Sequence, residues 1–261
     1  MLTHIDLFSG IGGFSLAAER VGFRTICFCE INPYCRAVLK KHWPNIPIIT
    51  DVRIFGESDR KWMGTNIITG GFPCQDLSRA RFSSGRNLSG QNSSLFFQLA
   101  RVVNGIYPHY VLIENVPRIL NFMKIISRAM PEYEFYGEKL NAEDFGAFCR
   151  RKRAFIVGNL GKGSGREIFN IAKKHCQALF NRGSQDILPM CLPWKGGLSL
   201  ERLASCLVEN TEDDATRIRK GNGFSRRMDG HRYSMLGNAI VPQVAEEILR
   251  IIAAIEMRKS C

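Results

Sequence analysis

Short apolar runs alternate with amphipathic stretches along the first 158 residues, and this alternation limits the folds that the chain can adopt. The strand-like runs cover residues 4–8, 25–29, 66–69, 110–113 and 154–157. Helical patterns between them cover residues 14–21, 33–42, 95–103 and 119–129. Strands that alternate with helices favour a parallel sheet with helices on both faces. The sequence therefore predicts an α/β fold with a doubly wound, mostly parallel sheet.

The pattern changes after Gly158. Residues 161–165 form a glycine-rich hinge, and the chain to about Gly230 has scattered prolines and mixed charge, which predicts a small irregular second domain. A helical pattern with one broad apolar face then runs from Pro242 to Met257. We expect a large domain formed by residues 1–158 and 229–261, and a small domain formed by residues 159–228.

Composition narrows the partners and the compartment. The 261 residues include 36 Lys and Arg against 24 Asp and Glu, a formal net charge of +12. This excess favours nucleic acid as a partner, although a chain can also simply be basic. The nine cysteines are odd in number and form no CxxC pair, which argues against a disulfide framework and a zinc site and favours a reducing compartment. We also expect no secretion signal and no membrane span.

A glycine turn follows the first predicted strand, in DLFSGIGGF. Ligands of open α/β sheets bind outside the carboxyl ends of the strands, and Gly10, Gly12 and Gly13 would let the backbone approach one closely. Glu30 ends the second strand, where an acid can accept hydrogen bonds from ribose hydroxyls. The spacing differs from GxGxxG, so a nucleoside ligand without a diphosphate is as compatible as NAD. The alternative is a turn that serves helix packing alone.

Two further polar groups follow strand-like runs. In GGFPCQDLS, a proline that stiffens the turn precedes Cys74, which could be an exposed nucleophile or a small buried apolar residue. In YVLIENVPRIL, Glu114 follows four apolar residues. A buried carboxyl group there would have a raised pKa and could donate a proton to a ring nitrogen, or it could cap the next helix.

Five segments in this order resemble the motifs of the cytosine-C5 DNA methyltransferases of bacterial and phage type. They are DLFSGIGGF, GFPCQ, IENV, RRKRAF and LGNAIVPQ. The resemblance covers residues 5–158 and about 229–252. Several separate motifs are far more specific than any one of them.

The resemblance implies that S-adenosylmethionine is the methyl donor and that no metal is required. Phe8 would contact the adenine, Glu30 the ribose and Asp51 the adenine edge. The remaining cofactor-binding residues implied by the resemblance are Gly10, Gly12, Gly13, Pro73 and Asn238.

The resemblance also implies a reaction. Cys74 would attack C6 of cytosine and so make C5 nucleophilic. Glu114 would hydrogen-bond or protonate N3. Arg151 and Arg153 match the two arginines of the family, and Arg153 is expected near the cytosine O2.

The implied substrate is double-stranded DNA with a specific sequence, from which the target cytosine must be flipped out. The polar stretch 75–94 would close over the DNA, with Gln75, Ser78 and Arg81 as contacts. Residues 159–228 would recognise the target, and their basic stretch supplies Arg219, Arg226 and Arg227, although this stretch could also be a solvated loop. We expect a cytoplasmic monomer in a prokaryotic cell or a phage-infected host, with or without a cognate restriction endonuclease.

Three positions depart from the family pattern: Ile31, Asn92 and Cys149. None of them removes a reacting group, so they bear on the rate of methyl transfer and on the affinity for the cofactor, and not on the type of reaction. Two alternatives follow, an RNA cytosine-C5 methyltransferase of the tRNA-modifying branch and a weakly active DNA-binding homologue.

Overall fold

The computed structural model describes residues 1–56, 60–73, 95–147, 151–161, 163, 165–181 and 240–259. Its seven strands are β1 (Leu2–Leu7), β2 (Phe23–Cys29), β3 (Ile48–Ile49), β4 (Ile67–Gly70), β5 (Tyr110–Asn115), β6 (Tyr133–Asn141) and β7 (Lys152–Leu160). Its α-helices are α1 (Gly13–Arg20), α2 (Pro33–His42), α3 (Leu95–Ile106), α4 (Met123–Ala129), α5 (Gly165–Asn181) and α6 (Pro242–Lys259).

The strands form one sheet in the order β3-β2-β1-β4-β5-β7-β6. The neighbouring pairs from β3 to β5 are parallel, and β7 runs antiparallel to both β5 and β6. The prediction of an α/β fold with a mostly parallel sheet is confirmed. Because β7 is reversed, its first residues meet the carboxyl ends of β4 and β5 at the same edge.

Helices cover both faces of the sheet. The buried side chains of α1, α5 and α6 pack in one cluster on one face, and those of α3 and α4 pack in a second cluster on the other. The central strands are apolar on both sides; Ile67, Ile68 and Leu112, for example, are fully buried. This two-sided burial explains why these strands appear as continuous apolar runs in the sequence.

The prediction of irregular structure from the hinge at 161–165 to about Gly230 is wrong for α5. Ile168, Phe169, Ala172 and Cys176 recur at helical spacing, and all four are buried against the sheet and α6. Helix α5 therefore packs with the large domain. The small domain was predicted at residues 159–228, and its part after Asn181 lies outside the described residues.

None of the helices in the described part of the chain is both long enough and apolar enough to cross a membrane.

Candidate active site

One cavity of about 380 Å³ lies at the edge of the sheet where β1, β2, β4 and β5 end and β7 begins. β1 and β4 are parallel neighbours although they are not consecutive in the sequence. The strand order therefore reverses between them, as it does at the ligand crevices of open α/β sheets. Eight residues expected in the site from the sequence line this cavity: Phe8, Gly10, Glu30, Asp51, Pro73, Glu114, Arg151 and Arg153.

The turn after β1 is built around Phe8. This residue has a φ of 56°, in the left-handed region that side chains rarely adopt, and its ring meets that of Phe72 edge-on at 6.4 Å. Strain of this kind persists where the surroundings fix the backbone, and it is common in binding sites. It orients the Phe8 ring at the cavity wall.

Glu30 fixes the glycine turn from the neighbouring strand. Its Oε2 accepts a hydrogen bond from Gly10 N at 2.7 Å, and its Oε1 accepts one from Asn32 N at 2.7 Å. A carboxylate has about four acceptor positions, so both oxygens retain capacity for ligand hydroxyl groups.

The three glycines of this turn have different surroundings. Gly10 lines the cavity, and a Cβ there would meet no atom within 4 Å. Gly12 and Gly13 are not among the lining residues. A Cβ on Gly12 would lie 2.6 Å from Trp43, and one on Gly13 would lie 2.3 Å from Ile240. Packing against these two side chains therefore explains Gly12 and Gly13, and only Gly10 faces the cavity.

A buried polar network lies beneath the turn. Asp6 accepts hydrogen bonds from Ser15 Oγ at 2.8 Å and from Thr69 Oγ1 at 3.1 Å, and Thr69 Oγ1 lies 2.8 Å from His4 Nε2. Burial raises the pKa of Asp6 to about 7 and lowers that of His4 to about 3. His4 is therefore neutral, and the network joins β1, β4 and α1 under the cavity.

Asp51 begins a short 3-10 turn, Val52–Ile54, on the opposite wall. Its carboxylate accepts hydrogen bonds from Arg53 Nε at 2.9 and 3.0 Å and from Arg53 Nη2 at 2.5 Å. The Arg53 side chain lowers the pKa of Asp51, which therefore stays ionised.

Glu114 lies at the end of β5 and is 9% exposed. Burial raises the pKa of Glu114, and the charges of Arg153 and Arg151 oppose this shift. Arg153 Nε lies 3.1 Å from Glu114 Oε1. A Cβ on Gly71 would lie 3.3 Å from Glu114 Oε2, so the turn after β4 passes close to this carboxyl group.

Asn115 fixes that turn, although the sequence analysis assigned it no role. Its Nδ2 donates to the carbonyl oxygen of Phe72 at 2.9 Å, and its Oδ1 accepts from Val116 N at 2.8 Å. Phe72 and Pro73 immediately precede Cys74 in the sequence. The position of Asn115 beside Glu114 at a strand end is the sequence feature that could have indicated its role.

Several predicted residues lie outside the described residues. They are Cys74, Gln75, Ser78, Arg81, Arg219, Arg226, Arg227 and Asn238, and the departures Asn92 and Cys149 lie there as well. The third departure, Ile31, lines the cavity and is 62% exposed.

No group of three or more His, Cys, Asp or Glu side chains suited to a metal ion occurs within the described ranges.

Comparison with known proteins decides the family. The model of the C-5 cytosine-specific DNA methylase family matches residues 2–189, well over half of the chain. The chain belongs to this family. Its sequence is 33% identical over 165 residues to a Type II methyltransferase of Bacillus subtilis (strain 168), which covers 60% of this chain and 41% of that protein. It is 31% identical over 165 residues to the Type II methyltransferase M.HhaI of Haemophilus parahaemolyticus, covering 60% of this chain and 48% of that protein.

The chain thus spans about half the length of the curated Type II methyltransferases that it matches. A solved structure, the S. pombe Dnmt2 methyltransferase, is similar with a TM-score of 0.62 at 16% identity and covers 98% of this chain and 99% of that one. This likeness supports the fold.

Proposed function

We propose that the chain transfers a methyl group from S-adenosylmethionine to C5 of a flipped cytosine in a specific sequence of double-stranded DNA. The observation that carries the proposal is that one cavity is lined by Glu30 directly after β2, by Pro73 before Cys74, and by Glu114 with its two arginines. Family membership supports DNA cytosine as the substrate, and the net charge of +12 fits a polyanion.

The described residues fit the cofactor. The volume of about 380 Å³ is within the range for small-molecule sites. Phe8 offers an aromatic ring for the adenine, Glu30 offers acceptors for the ribose hydroxyls, and Gly10 keeps the wall free of a side chain. When bound, the cofactor supplies a methyl group carried on a positively charged sulfur. We further propose that Asp51, Pro73 and Asn238 complete its site.

In the proposed reaction, the thiolate of Cys74 forms a bond to C6 of cytosine, and the ring electrons shift towards N3 and C5. Burial raises the pKa of Glu114, which favours its protonated form, so that it can give a proton to N3, and Arg153 keeps the carboxyl group oriented. After C5 has taken the methyl group, a base removes the C5 proton and Cys74 leaves as the thiolate, which restores the C5–C6 double bond. N3 returns its proton to the Glu114 carboxylate, so that the neutral base and the acid are both regenerated.

Other cysteines near the site are poor nucleophiles. Cys29 and Cys35 line the cavity, but burial, with a smaller effect of the Glu30 charge, raises the pKa of Cys35 to about 11 and raises that of Cys29 even more. Thiols with raised pKa values form little thiolate at neutral pH. Cys74 therefore stays the candidate for covalent attack.

We place target recognition between Asn181 and Ile240, because α5 packs with the large domain. Arg219, Arg226 and Arg227 in that stretch, and Gln75, Ser78 and Arg81 before α3, are the proposed DNA contacts. The relatives are Type II methyltransferases, which supports a cognate restriction endonuclease as a partner. A monomer in the cytoplasm stays a prediction.

Incubation with tritiated S-adenosylmethionine and either duplex DNA or tRNA tests the proposal. We expect label in DNA, complete loss of label in Cys74→Ala, and normal label in Cys176→Ala, a matched change at a buried cysteine outside the cavity. A covalent adduct with DNA containing 5-fluorocytosine should form in the wild type, because fluorine cannot leave as the C5 proton does.

Each other outcome has a defined meaning. Label in tRNA alone would establish an RNA methyltransferase, and DNA binding without label would establish a binding protein. Label that persists in Cys74→Ala would contradict covalent attack by this residue.

A further inference from the structure

The wall of the cavity that contains Asp51, Val52 and Arg53 is a short turn with few internal bonds. The 3-10 helix is three residues long, Val52–Ile54, and its backbone bonds join Ile54 N to Asp51 O and Phe55 N to Val52 O, both at 3.2 Å. The last carbonyl groups of such a turn need partners from elsewhere in the fold.

Arg101 of α3 supplies those partners. Its Nη1 donates to the carbonyl oxygen of Phe55 at 2.9 Å, and its Nη2 donates to that of Val52 at 2.8 Å and more weakly to that of Arg53 at 3.4 Å. Gln98, one turn earlier on the same helix, accepts from Arg101 Nε at 3.0 Å and fixes the plane of the guanidinium group. One side chain thus binds three carbonyl groups of the turn, those of Val52, Arg53 and Phe55.

The ion pair between Asp51 and Arg53 cannot replace this contact, because both residues belong to the wall itself. Arg101 instead joins the wall to α3, whose residues Leu99 and Val103 are fully buried in the core. A planar guanidinium group with donors on two sides suits several carbonyl groups at once, whereas the single ammonium group of lysine does not.

We propose that Arg101 is a positioning residue for the cofactor: it holds the Val52–Phe55 turn so that Asp51 and Val52 keep their places in the cavity. This inference rests on the proposed function, because it concerns the affinity of the same cavity for S-adenosylmethionine. It adds a residue that lies outside the lining of that cavity and that none of the sequence motifs contains.

Calorimetric titration with S-adenosylhomocysteine measures the effect without turnover. We expect the Kd to rise about tenfold in both Arg101→Lys and Arg101→Gln, the effect of losing one charge-assisted hydrogen bond. The matched control is Asn104→Ala, which removes a hydrogen bond of 2.8 Å from the same helix to the carbonyl oxygen of Ala129 on α4. The Kd of this control should stay at the wild-type value.

Hydrogen–deuterium exchange of the ligand-free protein gives a second readout. The amides of Ile54 and Phe55 should exchange faster in Arg101→Lys than in the wild type, and those of α3 should not. Because lysine keeps the charge and most of the length, this variant remains informative if Arg101→Gln does not fold.

The outcomes separate the two proposals. A wild-type protein that does not bind S-adenosylhomocysteine would overturn the proposed function and this inference with it. Normal wild-type binding with an unchanged Kd in Arg101→Lys, or an equal loss in Asn104→Ala, would overturn the inference alone.

Discussion

At the scale of single residues, the cavity contains two carboxyl groups whose pKa values are shifted in opposite directions. Asp51 is held ionised by hydrogen bonds from Arg53, whereas burial raises the pKa of Glu114 despite two nearby arginines. Groups whose environments push their pKa values apart divide the acid and base roles of a site. These opposite shifts support our proposal that Glu114 is the proton donor and that Asp51 is an acceptor for the cofactor.

Replacing Glu114 by glutamine removes the proton and keeps the shape. We expect Glu114→Gln to lower kcat by about 10²- to 10⁴-fold, the usual contribution of a general acid. Glu167→Gln on the exposed side of α5 is the control and should leave kcat unchanged. Single-turnover methylation of duplex DNA measures the effect.

The dependence of kcat on pH is a second test of Glu114 as the proton donor. Glu114 donates only when protonated, so kcat should fall as the pH rises through its pKa, which lies above the ordinary glutamate value. Glutamine does not ionise, so the residual activity of Glu114→Gln should lack this limb. A variant that keeps the wild-type rate, or the same alkaline limb, would remove Glu114 from the reaction.

At the scale of elements, the central strands could be predicted because they are buried on both sides and appear as apolar runs. Strand β6 could not, because it is an edge strand interrupted by Gly137, and only Tyr133 and Leu140 among its residues are buried. Helix α5 was not predicted because it begins in the glycine-rich stretch 161–165, although its apolar residues recur at helical spacing.

The site residues that lie at strand ends could also be predicted from the sequence. Phe8, Glu30 and Glu114 end predicted strands, and strand ends meet at one edge of a parallel sheet. Arg101 lies in the middle of a helix, where an arginine is ordinarily a surface residue. Its contacts with Val52 and Phe55 depend on tertiary packing that no local pattern reveals.

Helix α6 was predicted from its apolar face, but that pattern did not predict the polar contacts of this helix. Glu247 is fully buried on this helix, and its Oε2 lies 2.7 Å from His175 Nδ1 while its Oε1 lies 3.3 Å from Arg250 Nε. This buried carboxyl group joins α6 to α5 through His175, and its removal would take one contact from both His175 and Arg250.

Glu247→Ala should therefore lower the free energy of unfolding by about 2 kcal/mol, as expected for hydrogen bonds to a charged group. The same change at exposed Glu167 should cost less than about 0.5 kcal/mol. Urea denaturation followed by circular dichroism compares the two variants. Equal costs would mean that the buried pairs with His175 and Arg250 contribute nothing to stability.

At the scale of the whole molecule, the end of the described chain returns to the first helix. Helix α6 packs in one cluster with α1 and α5, and Ile240 approaches Gly13 at the start of α1. The glycine turn of the cavity and the C-terminal segment are thus joined by direct packing, although the stretch 182–239 separates α5 from Ile240 in the sequence.

A double-mutant cycle tests this junction. A Cβ on Gly13 would lie 2.3 Å from Ile240 Cγ2, so Gly13→Ala should lower the free energy of unfolding by about 1–3 kcal/mol through overpacking. Ile240→Ala removes the clashing methyl group, and the double variant should recover part of that loss, with a coupling energy of about 1 kcal/mol. Because Gly13 follows the turn that contains Gly10, the Kd for S-adenosylhomocysteine should rise in Gly13→Ala and fall again in the double variant. Additive single effects on both quantities would show that the turn and the C-terminal segment are independent.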